Sequence, residues 1–190
     1  MPQIAFSPLP LTSLPDDLRP VLAYWTGLTD SRPAPTWREF DMMQIPCRLL
    51  PFTMVKDVET GPHGMQYRYR FYGTGLVEVN QVDLTGKTTD DVVNADFADS
   101  IRASLDEFSS RFAPQFYRVT STARYSRDLV QSLLRLPLSD DRLRVTHVVS
   151  IISDHVGKDR YRELLGDAEP LDSPGTRPRR TAVSFLQVCD

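Results

Sequence analysis

Apolar and polar residues alternate along five segments of the chain, which is the pattern of half-buried β-strands. The alternation is strictest from Met65 to Tyr72, where aromatic and apolar residues occupy every second position. The predicted strands cover residues 52–58, 65–72, 115–123, 129–138 and 143–151. A glycine-containing loop at 59–64 predicts a hairpin between the first two strands, and Ser139-Asp140-Asp141 predicts a turn between the last two.

Two other segments show the spacing of three and four residues that is typical of amphipathic helices. The apolar face of the N-terminal helix consists of Leu18, Val21, Leu22, Trp25 and Leu28. That of the second helix consists of Phe97, Ile101, Leu105, Phe108 and Phe112. Residues 1–15 are rich in proline and are predicted to be irregular, and a short helix is predicted from Gly73 to Gln81.

Helices and strands segregate along the chain instead of alternating, which predicts an α+β fold with an antiparallel sheet covered on one face. We divide the chain into three parts. Residues 1–35 form an N-terminal irregular segment with an amphipathic helix, residues 36–156 form the domain, and residues 157–190 form a polar, Pro-rich C-terminal tail.

The composition is that of an ordinary soluble domain, with 190 residues, 41% hydrophobic residues and a net charge of -3. The charge predicts no nucleic-acid partner, because such proteins usually carry a basic surplus. No apolar run approaches the length of a membrane span. The N-terminus lacks the pattern of a signal peptide, and the two cysteines make no disulfide framework, so we expect a cytoplasmic protein.

A glycine pair at the exit of the second strand raises the possibility of a phosphate loop. Gly73 and Gly75 match the first two positions of the dinucleotide fingerprint, but Glu78 stands where the third glycine belongs. A carboxylate at that position repels a pyrophosphate. The segment ending in Gly86-Lys87-Thr88 likewise lacks the first glycine of a phosphate loop, so both segments are interpreted as turns.

Residues for catalysis or metal binding do not form a recognisable set. His147 and His155 are too far apart along one strand direction to share an ion, and His147 on an apolar face is more typical of a core histidine. Cys47 stands between prolines, outside any nucleophile motif. The sequence therefore predicts no catalytic residue and no metal site.

Short motifs spread in order along the chain resemble the small bacterial PAS-domain proteins of the fifth PAS group. They are Tyr24-Trp25, Pro33 to Pro35, Ile45-Pro46, Leu49-Leu50-Pro51, Tyr69-Arg70-Phe71-Tyr72-Gly73-Thr74, Asp83-Leu84-Thr85-Gly86 and Leu136-Pro137-Leu138-Ser139-Asp140-Asp141. The resemblance covers roughly residues 18–155. It implies a PAS-like five-stranded antiparallel sheet in the order 2-1-5-4-3, with helices on one face and a pocket between them.

The resemblance also implies a function without catalysis, as a sensory or signalling module. No cofactor is predicted, since the helix 97–112 has no histidine to ligate haem and Cys47 lies at the wrong place for a flavin-reactive cysteine. Output is expected through a signalling partner or through homodimerisation. The predicted dimer contact is on the N-terminal helix: Leu18, Val21, Leu22, Tyr24 and Trp25. The alternative is that this helix covers the open face of the sheet.

A second hypothesis is a receptor for a small carboxylate or phosphate, anchored by Arg70. The accompanying candidate residues are Tyr72, Thr74, Tyr125 and His147. The alternative for Arg70 is a bond to a helix carbonyl or to an acidic side chain. A third hypothesis is a small α+β enzyme with Asp57 or Asp128 beside His147, for which the sequence shows no constellation.

Overall fold

The computed structural model describes residues 3–61, 64–92, 95–122 and 129–153. The strands are β1 (Gln3–Leu9), β2 (Thr53–Gly61), β3 (Gly64–Tyr72), β4 (Gln115–Thr122), β5 (Leu129–Leu138) and β6 (His147–Ser153). The helices are α1 (Arg19–Thr29), α2 (Thr74–Asn80) and α3 (Ala95–Ser109). Short 3₁₀ turns lie at Leu11–Ser13, Met42–Gln44, Leu50–Phe52 and Thr89–Asp91. Tyr125 and the tail 157–190 lie outside the described residues.

All described strand pairs are antiparallel, and the strands form one sheet in the order β1-β4-β5-β6-β2-β3. The α+β class with an antiparallel sheet is therefore confirmed. The predicted number of strands was wrong, because the sheet in the described part of the chain has six strands instead of five. Its order differs accordingly, with β1 added at the edge beside β4.

The extra strand β1 comes from the proline-rich N-terminus that was predicted to be irregular, so that prediction was wrong for Gln3–Leu9. Pro8 lacks a backbone N–H, but an edge strand has one side without sheet partners and tolerates this. Ile4 and Phe6, two positions apart, point to the same face of the sheet and pack against an apolar cluster there. This packing determines the register of β1.

Helix α1 covers one face of the sheet, which we call the α1 face. Leu18, the residue before α1, and Val21 in its first turn are fully buried, and Trp25 donates a hydrogen bond from Nε1 to the Pro137 carbonyl at 2.8 Å. The sheet residues in this cluster are Val55, Phe116, Leu134, Leu136, Leu138, Val149 and Ile151. Packing against β5 and β6 thus brings the N-terminal helix into the chain's own core.

The opposite face of the sheet, the helix-side face, packs against α2 and α3. Leu105 and Phe108 of α3 are completely buried against Tyr67 and Val148. Leu76 of α2 belongs to a second apolar cluster, which includes Tyr69, Tyr72, Tyr117, Leu133 and Ile152.

Candidate functional site

Two buried cations project from the helix-side face of the sheet. Lys56 on β2 is 3% exposed and Arg135 on β5 is 2% exposed. The register places Lys56 opposite Val148 and Arg135 opposite Ser150, both on the intervening strand β6. Since side chains two positions apart on a strand share a face, the two cations project to the same side.

Arg135 ties the sheet to α3 and lies among aromatic rings. Its Nη1 donates to the Ser104 carbonyl at 3.0 Å and to the Ser104 hydroxyl at 2.7 Å. The guanidinium carbon lies 4.8 Å from the ring centre of Phe6 and 5.0 Å from that of Tyr117. Burial lowers the pKa of Arg135 to about 10, so the group stays charged at neutral pH.

The surroundings of Lys56 stabilise a positive charge much less than those of Arg135 do. Its Nζ lies 3.8 Å from the thioether sulfur of Met54 and 4.5 Å from the ring centre of Tyr69. Burial, and then the positive charge of Arg135, lower the pKa of Lys56 to about 7. A thioether and a ring face replace little of the hydration that an ammonium loses on burial.

Neither cation has an acidic partner in the part of the chain that the structure describes. Among the same residues, the Arg135 Nε and the buried Ser150 hydroxyl have no hydrogen-bond partner. A buried cation normally has a counter-charge, and buried polar atoms are normally hydrogen-bonded. Arg135, Ser150 and Lys56 on three adjacent strands therefore form a candidate anion site. We call these three residues the cation cluster.

Arg70, the predicted anchor, lies away from the cation cluster. Its Nε donates to the Asp57 carboxylate at 2.6 Å, and its guanidinium carbon lies 5.4 Å from the ring centre of Trp37. Asp57 pairs in register with His147 of β6. Val149, two positions further along β6, belongs to the core on the α1 face, so Asp57 and His147 lie on that face. Arg70 thus bonds an acidic side chain, as in the alternative that the sequence left open.

His147 lies in the same group on the α1 face. Its ring stacks on Trp37 with a centroid distance of 5.6 Å. Nε2 lies 3.4 Å from Asp57 Oδ1, and Nδ1 lies 3.7 Å from Asp140 Oδ2. Burial lowers the pKa of His147, while the two carboxylates oppose that shift. The group therefore joins the end of the sheet to the segment that carries Trp37.

The remaining predicted ligand residues are divided between locations. Tyr72 packs in the helix-side cluster and its hydroxyl accepts a hydrogen bond from Asn80 Nδ2 at 2.7 Å. Thr74 is exposed at the start of α2. Tyr125 lies outside the described residues. The structure thus brings Arg70 and His147 together around Asp57 and Trp37 on the α1 face, whereas Tyr72 and Thr74 lie elsewhere.

The predicted dimer residues divide by burial. Leu18, Val21 and Trp25 are buried in the chain's own core, whereas Leu22 and Tyr24 are partly exposed. The Tyr24 hydroxyl accepts from the Asp41 N–H at 2.7 Å. Helix α1 covers the sheet, and a dimer through its outer side stays a prediction.

Sequence reasoning overlooked Lys56 and Arg135, although each leaves a signal. Arg135 is the single charged residue in the apolar run Leu133–Leu138, which forms a central strand. A cation in such a run is expected to be buried, and a buried cation indicates a functional site. Lys56 gives a weaker signal, because Asp57 beside it makes the segment look like an ordinary polar alternation.

Within the described ranges, no group of three His, Cys, Asp or Glu side chains lies close enough to hold a metal ion. Among the helices of those ranges, none has the length and apolar character needed to cross a bilayer.

No family model matches the chain, and no curated protein matches it. Among solved structures, it is similar to one titled "Structure of an RNA-binding Light-Oxygen-Voltage Receptor", with a TM-score of 0.38 and 12% identity over 87% of this chain. The chain spans 42% of that protein's length. A TM-score this low assigns neither fold nor function.

Proposed function

We propose that this chain is a sensory domain without catalysis, which binds a small carboxylate or phosphate between the sheet and α3. The observation that carries the proposal is the pair of buried cations, Lys56 and Arg135, with no acidic partner among the described residues. An anion between them offsets the cost of keeping both charges out of water.

The bonding geometry of Arg135 supports an anion ligand over a purely structural role. Ser104 occupies Nη1, while Nε has no partner among the described residues. A guanidinium pairs with carboxylates and phosphates through two parallel N–H groups, and an unoccupied Nε edge is suited to that. The Ser150 hydroxyl, on the strand between the two cations, supplies a third polar contact.

The proposal retains the receptor hypothesis from the sequence and moves its anchor. Arg70 is engaged with Asp57, so we place the anchor at Arg135. The location between sheet and helices is the place of the pocket that the PAS resemblance implies. Output through a protein partner or a homodimer remains part of the proposal, because the direct link from Arg135 to Ser104 connects the site to α3.

Thermal unfolding of the full chain with acetate, succinate or phosphate tests the proposal. We expect at least one anion to raise the unfolding midpoint, since a ligand at about 100 times its Kd adds about 2.7 kcal/mol. Removing a buried charged partner should weaken binding by roughly 30-fold or more, so Arg135→Gln should lose the response. Arg118→Gln is the matched control, because Arg118 is exposed on the neighbouring strand β4.

Lys56→Met provides a second variant in case Arg135→Gln does not fold. It removes one charge of the cation cluster with a side chain of similar length. Stabilisation by anions that survived in both Lys56→Met and Arg135→Gln would show that the ligand binds elsewhere. Absence of any anion response in the wild-type chain would overturn the proposal itself.

A further inference from the structure

Lys56 has the surroundings of a nucleophilic amine. An amine attacks a carbonyl carbon only in its neutral form, and burial beside a second cation favours that form. Its Nζ contacts the Met54 sulfur and the Tyr69 ring, neither of which holds an ammonium as a carboxylate does. The charged Arg135 and the titratable hydroxyls of Tyr67, Tyr69 and Tyr117 lie on the same face. From the facing helix α3, Asp106 accepts a hydrogen bond from the Tyr67 hydroxyl, and the charge of Glu107 acts on Tyr117.

Lys56 and Arg135 are spaced for a ligand with two functional groups. Two strand spacings and a two-residue offset put their α-carbons about 12 Å apart. Both side chains are long, and the Arg135 charge acts on the Lys56 amine. One end of a small molecule can therefore meet a permanent cation while its other end meets an amine.

We propose that Lys56 captures the carbonyl carbon of a small oxo acid as a reversible imine, while Arg135 holds the carboxylate of the same molecule. The proposal rests on the anion site proposed above and names the class of its ligand. It concerns covalent recognition, since the ligand is released unchanged when water hydrolyses the imine.

The chemical step is balanced without any co-reactant. The nitrogen lone pair of neutral Lys56 forms a bond to the carbonyl carbon, and the carbonyl π electrons move to oxygen. Transfer of the two amine protons to that oxygen lets it leave as water, and a carbon–nitrogen double bond remains. Nothing is oxidised or reduced. The carboxylate keeps its charge beside Arg135 throughout.

Reductive trapping on the full chain tests the inference. The protein is incubated with pyruvate and sodium cyanoborohydride at pH 7.5, and the adduct is located by peptide mass spectrometry. The chain has three lysines, Lys56, Lys87 and Lys158. We expect the adduct at Lys56, its loss in Lys56→Arg, and its retention in Lys87→Arg. Arg135→Gln should reduce the labelled fraction, because the carboxylate no longer has its anchor.

Lactate separates this inference from the proposed function. It carries the same carboxylate as pyruvate but has no carbonyl carbon to attack. Stabilisation by both acids without an adduct at Lys56 would leave the anion site standing and overturn the imine. Equal labelling of all three lysines would also overturn it, since that is ordinary amine reactivity. If neither acid stabilises the chain and no adduct forms, both proposals fail.

Discussion

Arg135 on β5 and Ser104 on α3 are joined by two hydrogen bonds from one guanidinium nitrogen, at 3.0 Å to the carbonyl and 2.7 Å to the hydroxyl. A second polar link joins the same helix to the sheet, from the Tyr67 hydroxyl to Asp106 at 2.7 Å. Between them, Leu105 is completely buried. Helix α3 is therefore held on the sheet partly by Arg135, a charged residue of the candidate site.

Replacing Ser104 by alanine removes one acceptor from a buried cation. We expect Ser104→Ala to lower the free energy of unfolding by about 1 to 3 kcal/mol, because a buried donor is left without its partner. Urea unfolding measures this loss. Ser100→Ala is the control, since the Ser100 hydroxyl bonds the Asp96 carbonyl within the same helix. Equal losses in the two variants would show that Arg135 gains nothing from the Ser104 hydroxyl.

Lys56 predicts an unusual dependence of stability on pH. Its pKa is about 7 in the folded chain, against about 10.4 for an unfolded lysine. Between these values the unfolded chain binds one more proton, so the free energy of unfolding rises with pH, by at most about 1.4 kcal/mol per unit. Burial raises the pKa of Tyr69, which opposes this trend above about pH 10.

Urea unfolding between pH 7 and 9.5 checks the Lys56 prediction. In Lys56→Met the pH slope should disappear, and stability at pH 7 without ligand should increase, because an uncompensated buried cation is removed. Lys87→Met should keep the wild-type slope. A wild-type chain whose stability is flat over this range would mean that Lys56 keeps an ordinary pKa.

The main elements of the fold follow from periodicity, and the exceptions have physical reasons. The hairpin of β2 and β3 and the helix α3 are where alternation and helical spacing place them. Strand β1 was missed because Pro8 and Pro10 suggested irregular chain, whereas an edge strand tolerates proline. Whether the segment of β1 forms a strand therefore depends on its position at the edge of the sheet, which no local sequence pattern encodes.

The site was harder to predict, because it depends on which strands are neighbours. Arg70 stands out in a motif beside two glycines, yet its partner Asp57 lies on the adjacent strand of the hairpin. Lys56 and Arg135 are 79 positions apart, and they come together because β6 lies between β2 and β5. Arg135 in its apolar strand was the stronger local sign of the site, and Lys56 the weaker one.

The glycines after β3 are required by close packing. Gly73 has an ordinary backbone conformation, with φ of -60°. A β-carbon on Gly73 would lie 2.4 Å from the Pro51 carbonyl oxygen, and one on Gly75 would lie 2.7 Å from the Phe52 ring. The pair thus lets the start of α2 pack directly against the 3₁₀ turn before β2.

Gly73→Ala should therefore destabilise the chain by about 1 to 3 kcal/mol, because the backbone around Pro51 has to move. Gly27→Ala is a matched control in α1, where a β-carbon meets nothing within 4 Å. That variant should gain about 0.5 to 1 kcal/mol from helix propensity. Chemical unfolding of both variants measures the contrast. A neutral Gly73→Ala would refute the packing explanation of the glycine pair.

The histidine on the α1 face should make the chain sensitive to mild acid. Burial lowers the pKa of His147, so the folded chain resists a proton that the unfolded chain accepts below about pH 6.5. Stability is fully present above that pH and should fall as the pH drops toward the folded pKa, by at most about 1.4 kcal/mol per unit. His147→Gln should remove this component of the pH dependence.

A direct NMR titration of the His147 ring determines the sign. We expect a midpoint below about 6.5, because burial outweighs the attraction of Asp57 and Asp140. In Asp140→Asn the midpoint should fall further, since one stabilising carboxylate is gone. A wild-type midpoint above 6.5 would mean that the carboxylates dominate. His147 would then stabilise the fold as a cation, and acidification toward pH 6.5 would strengthen the contact between the sheet and the Trp37 segment.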